Sequence, residues 1–320
     1  MPFSDIYRRR VELLLRVLPS IAKEDRFALK GGTAINLFIR ELPRLSVDID
    51  LAYVHTLGWS RALPAITTAM RRIDASIRAT VRGVRVTQVP DPGAENAITA
   101  LNVQLGRAQV KIEISPVLRG CVFEPEGRGV SAAVEEEFGF AETQVLSFAD
   151  LYAGKLVAAL DRQHPRDLFD ARELLANEGI DDAMRVAFVV YLLSHKRPMC
   201  EVLAVRRKNI ADRFAQEFAG MTLAPVVLDE LLETREELVR ALVKEMPDDH
   251  REFLVSFELG NPKWDLLPVR HAKRLPAVKW RQRNLDSIPK KKRAKLVTDL
   301  EKVLDTPARL EQLTFFSGEE

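Results

Sequence analysis

Lys30-Gly31-Gly32-Thr33-Ala34-Ile35-Asn36-Leu37-Phe38 and, shortly after it, Arg44-Leu45-Ser46-Val47-Asp48-Ile49-Asp50-Leu51 decide how this chain is read. Val47 to Val54 has strand character, and Pro43 marks a break ahead of it. Alternate strand side chains share a face, so Asp48 and Asp50 project together while Ile49 and Leu51 turn the other way and can bury. Neighbouring carboxylates repel unless a cation lies between them. Mg²⁺ suits such hard oxygen donors and completes its shell with water and substrate phosphates. The segment therefore reads as a metal platform. Gly31-Gly32 stands where the apolar run Phe27-Ala28-Leu29 gives way to a helix opening at Thr33. Backbone N–H groups at a helix start attract anions, and glycine lets a phosphate approach without a Cβ in the way. Lys30, Gly31, Gly32 and the Thr33 hydroxyl are thus the expected nucleotide-binding set. Phosphate cradle and metal platform together imply a nucleoside triphosphate with Mg²⁺. The motif is not a Walker A loop, because no Gly-Lys-Ser/Thr follows at the required spacing.

Working outward, helical spacing of apolar residues predicts amphipathic helices over residues 4–24 and 61–80. Val84 to Val89, Ala97 to Leu105 and Gln109 to Val117 read as strands, the last two joined by a tight turn at Gly106-Arg107. Glu113 is the acid on the last of these strands. It is the expected third carboxylate, holding a second metal and activating an attacking hydroxyl. Residues 120–129, rich in Gly, Glu and Pro, read as a loop. Ser147 is the expected N-cap of a helix from Phe148 to Asp161. A further helix spans Arg166 to Ala176, and only helical patterns follow Asp181.

The strings LKGGTAINLF, RLSVDIDL and VKIEI, with FADLYAGKLVAALDRQHPRDLFDARELL downstream, resemble the AbiEii/AbiGii nucleotidyltransferase toxin family, which includes the MenT-type toxins, within the polymerase-beta-like superfamily. The resemblance runs over about residues 25–180. It implies an α+β fold: an NTase-fold mixed sheet with flanking helices over residues 1–146, then a mainly helical domain with a basic end over 147–320. It also implies that Lys155 and Asp170 belong to the active site, and that Arg44 and Ser46 support phosphate or the local structure. Lys155 would reach triphosphate oxygens as a point charge. Asp167 and Asp170, three apart, share a helix face. Asp170 is the favoured active-site acid, with Asp167 left as the alternative or as a partner of Arg162 or Arg166. His164 reads as a loop histidine.

Composition narrows the setting. Of 320 residues, 47% are hydrophobic, enough for sizeable cores, and 48 Lys+Arg against 46 Asp+Glu give a net charge of only +2. The charge is unevenly spread. Eleven Lys/Arg against the single acid Asp286 between Arg270 and Lys295 make that stretch +10. With Trp280 available for stacking, it is a candidate RNA-binding region. The two cysteines, Cys121 and Cys200, are far apart and fit neither a disulfide framework nor a zinc site. The N-terminal apolar run is interrupted by Arg16, and no apolar stretch approaches the ~20 residues of a membrane span. The expectation is a cytoplasmic protein.

The function expected is transfer of a nucleoside monophosphate from an NTP to an acceptor hydroxyl, with release of pyrophosphate. Asp48, Asp50 and Glu113 would hold Mg²⁺. The resemblance implies a toxin with a cognate antitoxin, and the 3′ end of tRNA as acceptor. Nucleotidylation of a protein hydroxyl is the alternative within the same fold. Non-catalytic nucleotide or RNA binding is the alternative outside it.

Overall fold

The computed structural model describes residues 5–305. By packing, the chain divides into two units: residues 1–151 with 211–228, and residues 152–210 with 229–320. The single boundary expected at 146/147 compares with a division at 151/152. A later segment, 211–228, also returns to the first unit.

The first unit is built on one seven-stranded mixed sheet in the order β3-β4-β5-β2-β1-β7-β6. Its strands are β1 Phe27–Lys30, β2 Ile49–Tyr53, β3 Arg85–Asp91, β4 Ala94–Leu105, β5 Ala108–Arg119, β6 Glu126–Gly129 and β7 Glu142–Val145. β2 runs antiparallel to β1 and parallel to β5. The β4–β5 hairpin turns at Gly106-Arg107, where Gly106 takes φ +57°, as the tight-turn reading requires.

Helices α1 (Asp5–Ala22) and α3 (Trp59–Thr80) pack on the sheet. Ile66, Ala69, Met70, Ile73 and Ile77 of α3 recur at helical spacing and are fully buried. They share one core with Ile49, Leu51, Ile112 and Ile114, the apolar face of β2 and β5. Burial of each such side chain stabilises by roughly 1.5–3 kcal/mol. Between α1 and α3, β1 leads into α2 (Gly31–Ala34), which continues as a π-helical turn over Ile35–Ile39.

Two expectations need correction here. The helix after the glycines opens at Gly31, not Thr33. The segment read as a loop ends in a strand: β6 pairs with β7 from Glu126↔Val145 to Gly129↔Glu142. Glu-Gly-Arg-Gly has no apolar alternation of its own, so cross-strand pairing supplies what propensity does not. α4 (Ala132–Phe138) lies between these two strands.

α5 (Phe148–Arg162) begins as expected. The Ser147 hydroxyl accepts from Asp150 N at 3.1 Å and donates to Asp150 Oδ2 at 2.7 Å. The Asp150 carboxylate also accepts the backbone N–H groups of Val122 and Phe123, both at 2.8 Å, tying the turn after β5 to the helix start.

The second unit continues α5 with α6 (Pro165–Asn177), α7 (Asp182–Leu193), α8 (Met199–Leu203), α10 (Leu228–Val239), α11 (Asp248–Leu259), α12 (Pro276–Ser287) and α13 (Lys290–Leu304). α9 (Ala211–Glu217) belongs to the first unit. Helices make up more than half of the described residues. No helix among the described residues is long and apolar enough to cross a membrane.

Asp150 is the local test of this arrangement. Asp150→Ala strands one buried and one half-buried N–H donor and is expected to cost about 2–4 kcal/mol, against about 1 kcal/mol for loss of the cap alone in Ser147→Ala. Urea unfolding of the two variants measures the difference; equal costs would contradict the bridging role of Asp150.

Candidate active site

β1 ends at Lys30, and Gly31 then takes φ +75°, a conformation glycine adopts without a Cβ penalty. Side chains crowd the glycine pair. A Cβ on Gly31 would lie 2.6 Å from Asp50 Oδ2, and one on Gly32 would lie 2.7 Å from the Arg44 guanidinium and 2.9 Å from Ser46 Oγ. The absence of side chains at 31 and 32 is therefore what lets Asp50, Arg44 and Ser46 close on this turn. Lys30, at the N-cap position, gives the turn no side-chain cap.

Strand register sets the acids. Asp50 stands opposite Lys30 on one side and Glu113 on the other. Paired neighbours share a sheet face, and adjacent strands lie about 4.8 Å apart. The structure thus brings Asp50 and Glu113 side by side, with Asp48 one residue ahead of β2. Asp48 and Glu113 are exposed, and Asp50 is half-buried. The Glu113 carboxylate forms an ion pair with Lys111, two residues back on the same face. Among the described residues, no three His, Cys, Asp or Glu side chains gather closely enough to enclose a metal ion together. The donors nonetheless suit Mg²⁺ chemically: they are carboxylate oxygens, and beside Asp50 is a glycine with no Cβ.

Three expected ligands act on the protein itself. Thr33 is fully buried; its hydroxyl donates to the Asp48 carbonyl at 2.5 Å and lies 3.0 Å from Ser46 Oγ. It fixes the backbone that carries Asp48. Arg44 is buried and donates to the Leu45 carbonyl at 2.8 Å. Ser46 closes the contact between this loop and the glycine turn.

Two contributors escaped the sequence reading. Asn36 Nδ2 donates to Gly32 O at 2.8 Å, bracing the turn. Met221 to Leu223 pair with the loop ahead of β2: Leu45 N donates to Met221 O at 3.0 Å, and Leu223 N to Pro43 O at 2.9 Å. The string AINL could have suggested Asn36, a polar residue within an apolar turn. Nothing in the sequence marks residues 221–223.

In the helical unit, Lys155 is buried between the two aspartates of α6. Its Nζ lies 3.0 Å from Asp167 Oδ1 and 2.9 Å from Asp170 Oδ2. Arg162 adds two bonds to Asp167, at 2.5 and 3.0 Å. Burial alone would raise the Asp167 carboxyl, but Lys155 and Arg162 together hold it well below the usual carboxylate range. The expected pairing of Asp167 with Arg162 is observed, and the shared face of Asp167 and Asp170 is directed at one ammonium. His164 caps α6 by accepting from Arg166 N at 3.1 Å. The cysteines are free, and burial pushes Cys121 up to about 12 and Cys200 to about 11, consistent with apolar packing.

Two measurements probe these groups. Gly31→Ala and Gly106→Ala both place alanine at positive φ, a strain of about 1–2 kcal/mol. Gly106 faces open space whereas Gly31 faces Asp50. Chemical unfolding should therefore find Gly31→Ala the more damaging, and equal losses would contradict the close approach. Lys155→Met leaves two buried carboxylates without their ammonium and should cost about 3–5 kcal/mol at neutral pH. Because the folded Asp167 carboxyl is depressed, its stabilisation is complete above the ordinary carboxylate pKa of about 4 and is lost as pH falls below it. The deficit of Lys155→Met against wild type should accordingly shrink in acid. A deficit independent of pH would contradict the ion-pair account.

No curated protein matches the chain. Among solved structures, it resembles MenT4, the nucleotidyltransferase toxin Rv2826c from Mycobacterium tuberculosis H37Rv, with a TM-score of 0.58 and 16% identity over 87% of this chain and 92% of that one. At that identity the likeness speaks for the fold, an α+β arrangement shared with a nucleotidyltransferase toxin. The family model for "Nucleotidyl transferase AbiEii toxin, Type IV TA system" matches residues 12–281, spanning the sheet, the glycine turn, the acids and most of the helical unit. The chain belongs to the AbiEii nucleotidyltransferase toxin family.

Proposed function

We propose that the chain transfers a nucleoside monophosphate from an NTP to an acceptor hydroxyl, with the 3′ end of tRNA as acceptor, and releases pyrophosphate. The observation that carries this reading is the register of β2 between β1 and β5, with Asp50 beside Glu113 and against the glycine turn. Asp48 and Asp50 supply the carboxylates for Mg²⁺. Bound there, the metal would neutralise charge on the transferring phosphoryl group and the departing pyrophosphate. Gly31 and Gly32 offer backbone N–H groups to the triphosphate, and Lys30 adds charge at the same turn.

Glu113 is half-exposed at the side chain, so an acceptor can reach it. It takes the proton from the acceptor hydroxyl as that oxygen bonds to the α-phosphorus and the bond to pyrophosphate breaks. To do so it must exchange its Lys111 contact for the acceptor. Thr33, Arg44 and Ser46 act by positioning, holding the Asp48 backbone and the glycine turn in place. For Lys155, Asp167 and Asp170, the family string supports a share in nucleotide transfer. Their mutual ion pairs support an additional role in holding α5 to α6. The family also supports a cognate antitoxin as partner, and NTP and tRNA substrates support action in the cytoplasm.

The test is label transfer from each of the four NTPs, radiolabelled at the α-phosphate, into total tRNA with Mg²⁺ present. Wild type should label RNA. Asp50→Asn should lower transfer by at least about a hundredfold while leaving the unfolding midpoint close to wild type. Label on protein instead of RNA would redirect the acceptor assignment. No transfer from any NTP would overturn the reading.

A further inference from the structure

Seven of the eleven cations between Arg270 and Lys295 fall into two groups, and Arg270 pairs with Asp265 on the surface. Arg281 and Arg293 turn inward to α11. Arg281 is buried, with its NH2 3.7 Å from Glu258 Oε2, and Arg293 Nε donates to the Glu258 carbonyl at 2.8 Å. These contacts fasten α12 and α13 to the core. Lys279, Arg283, Lys291, Lys292 and Lys295 point the other way; all are exposed, and none forms an ion pair among the described residues.

Several surface arginines elsewhere in the helical unit are neutralised. Arg172, Arg197, Arg207 and Arg240 each pair with a carboxylate on their own surfaces. The one acid of the stretch, Asp286, is engaged by Arg293. Three lysines also open α13, whose first turn has no acid and whose N-cap supplies no side-chain bond. Positive charge at the positive end of a helix is unfavourable, and a bound polyanion would reverse that.

Trp280 points to the kind of polyanion. It is 50% exposed and lies one turn from Arg283, with the exposed Lys279 next to it in sequence on α12. The aliphatic residues Ala277, Val278 and Leu285 of this helix are buried. A membrane-surface helix would instead present its apolar face. Unneutralised cations spaced along two helices, with one open indole among them, match a nucleic-acid backbone with an unstacked base.

We propose that the outer faces of α12 and α13 form a docking surface for single-stranded RNA. The surface engages phosphates through Lys279, Arg283, Lys291, Lys292 and Lys295, and stacks a base on Trp280. This deepens the reading of an RNA acceptor, but it is tested by binding alone, without NTP.

Fluorescence anisotropy of a labelled single-stranded RNA would be measured across a salt series for the full chain. Combined Lys291→Ala, Lys292→Ala and Lys295→Ala should weaken binding and make the slope of log affinity against log salt shallower by about 2. Trp280→Ala should weaken single-stranded RNA by roughly tenfold and duplex RNA far less. Arg206→Ala, an exposed cation elsewhere in the same unit, should match wild type. Circular dichroism melting checks that each variant folds. RNA affinity unchanged in folded variants of α12 and α13 would overturn the proposal, as would binding of anionic phosphatidylserine vesicles in preference to RNA. Asp50→Asn separates this surface from the transfer reaction: it should bind RNA as wild type does. Intact RNA binding with no label transfer would count against the proposed reaction and leave the docking surface standing.

Discussion

A slip of β2 by a single residue against β5 would turn Asp48 and Asp50 into the hydrophobic core and Ile49 and Leu51 out to solvent. The burial of Ile49, Leu51, Ile112 and Ile114 in one core forbids that slip. The same apolar contacts that stabilise the sheet therefore set Asp50 beside Glu113 and opposite Lys30. Everything proposed for the site depends on this pairing. The glycine turn is then shaped around the placed carboxylate: Gly31 is free of a Cβ where Asp50 comes closest, and Gly32 where Arg44 and Ser46 do.

Around this register, polar residues that resemble ligands in the sequence carry much of the positioning. Thr33 holds the Asp48 carbonyl, Asn36 holds Gly32, and Arg44 holds its own loop. A second layer comes from far along the chain, where residues 221–223 pair with Pro43 to Leu45. In the helical unit the same economy recurs: Lys155 is buried with two aspartates and Arg281 with the Glu258 carboxylate, while Arg293 donates to the Glu258 backbone carbonyl. Breaking such buried ion pairs is costly, which makes them strong constraints on helix placement.

The features legible in the sequence were those written in local periodicity and short motifs. VDIDLAYV announced β2, which carries Asp50. Gly106-Arg107 announced the β4–β5 turn, and Ser147 the start of α5. The third acid, Glu113, could be named because it is the acid on a strand expected to pair. What escaped depends on distant partners. β6 exists through its pairing with β7, and residues 211–228 look like any helical segment until they pack against the first unit. The opposite partition of Thr33 and Glu113, one buried and one exposed, could not be read either, since each is a polar residue beside apolar neighbours in its own motif. The basic tail showed its charge but not which cations turn inward, Arg281 and Arg293, and which stay exposed. That sorting follows from packing against Glu258.

The most direct measurement is a crystal structure with Mn²⁺ and a non-hydrolysable NTP analogue. The account predicts anomalous scattering against the carboxylates of Asp48 and Asp50, the triphosphate along Gly31-Gly32, and Glu113 released from Lys111. Manganese and nucleotide bound together elsewhere, with Asp50 and Glu113 still separated from both, would contradict it.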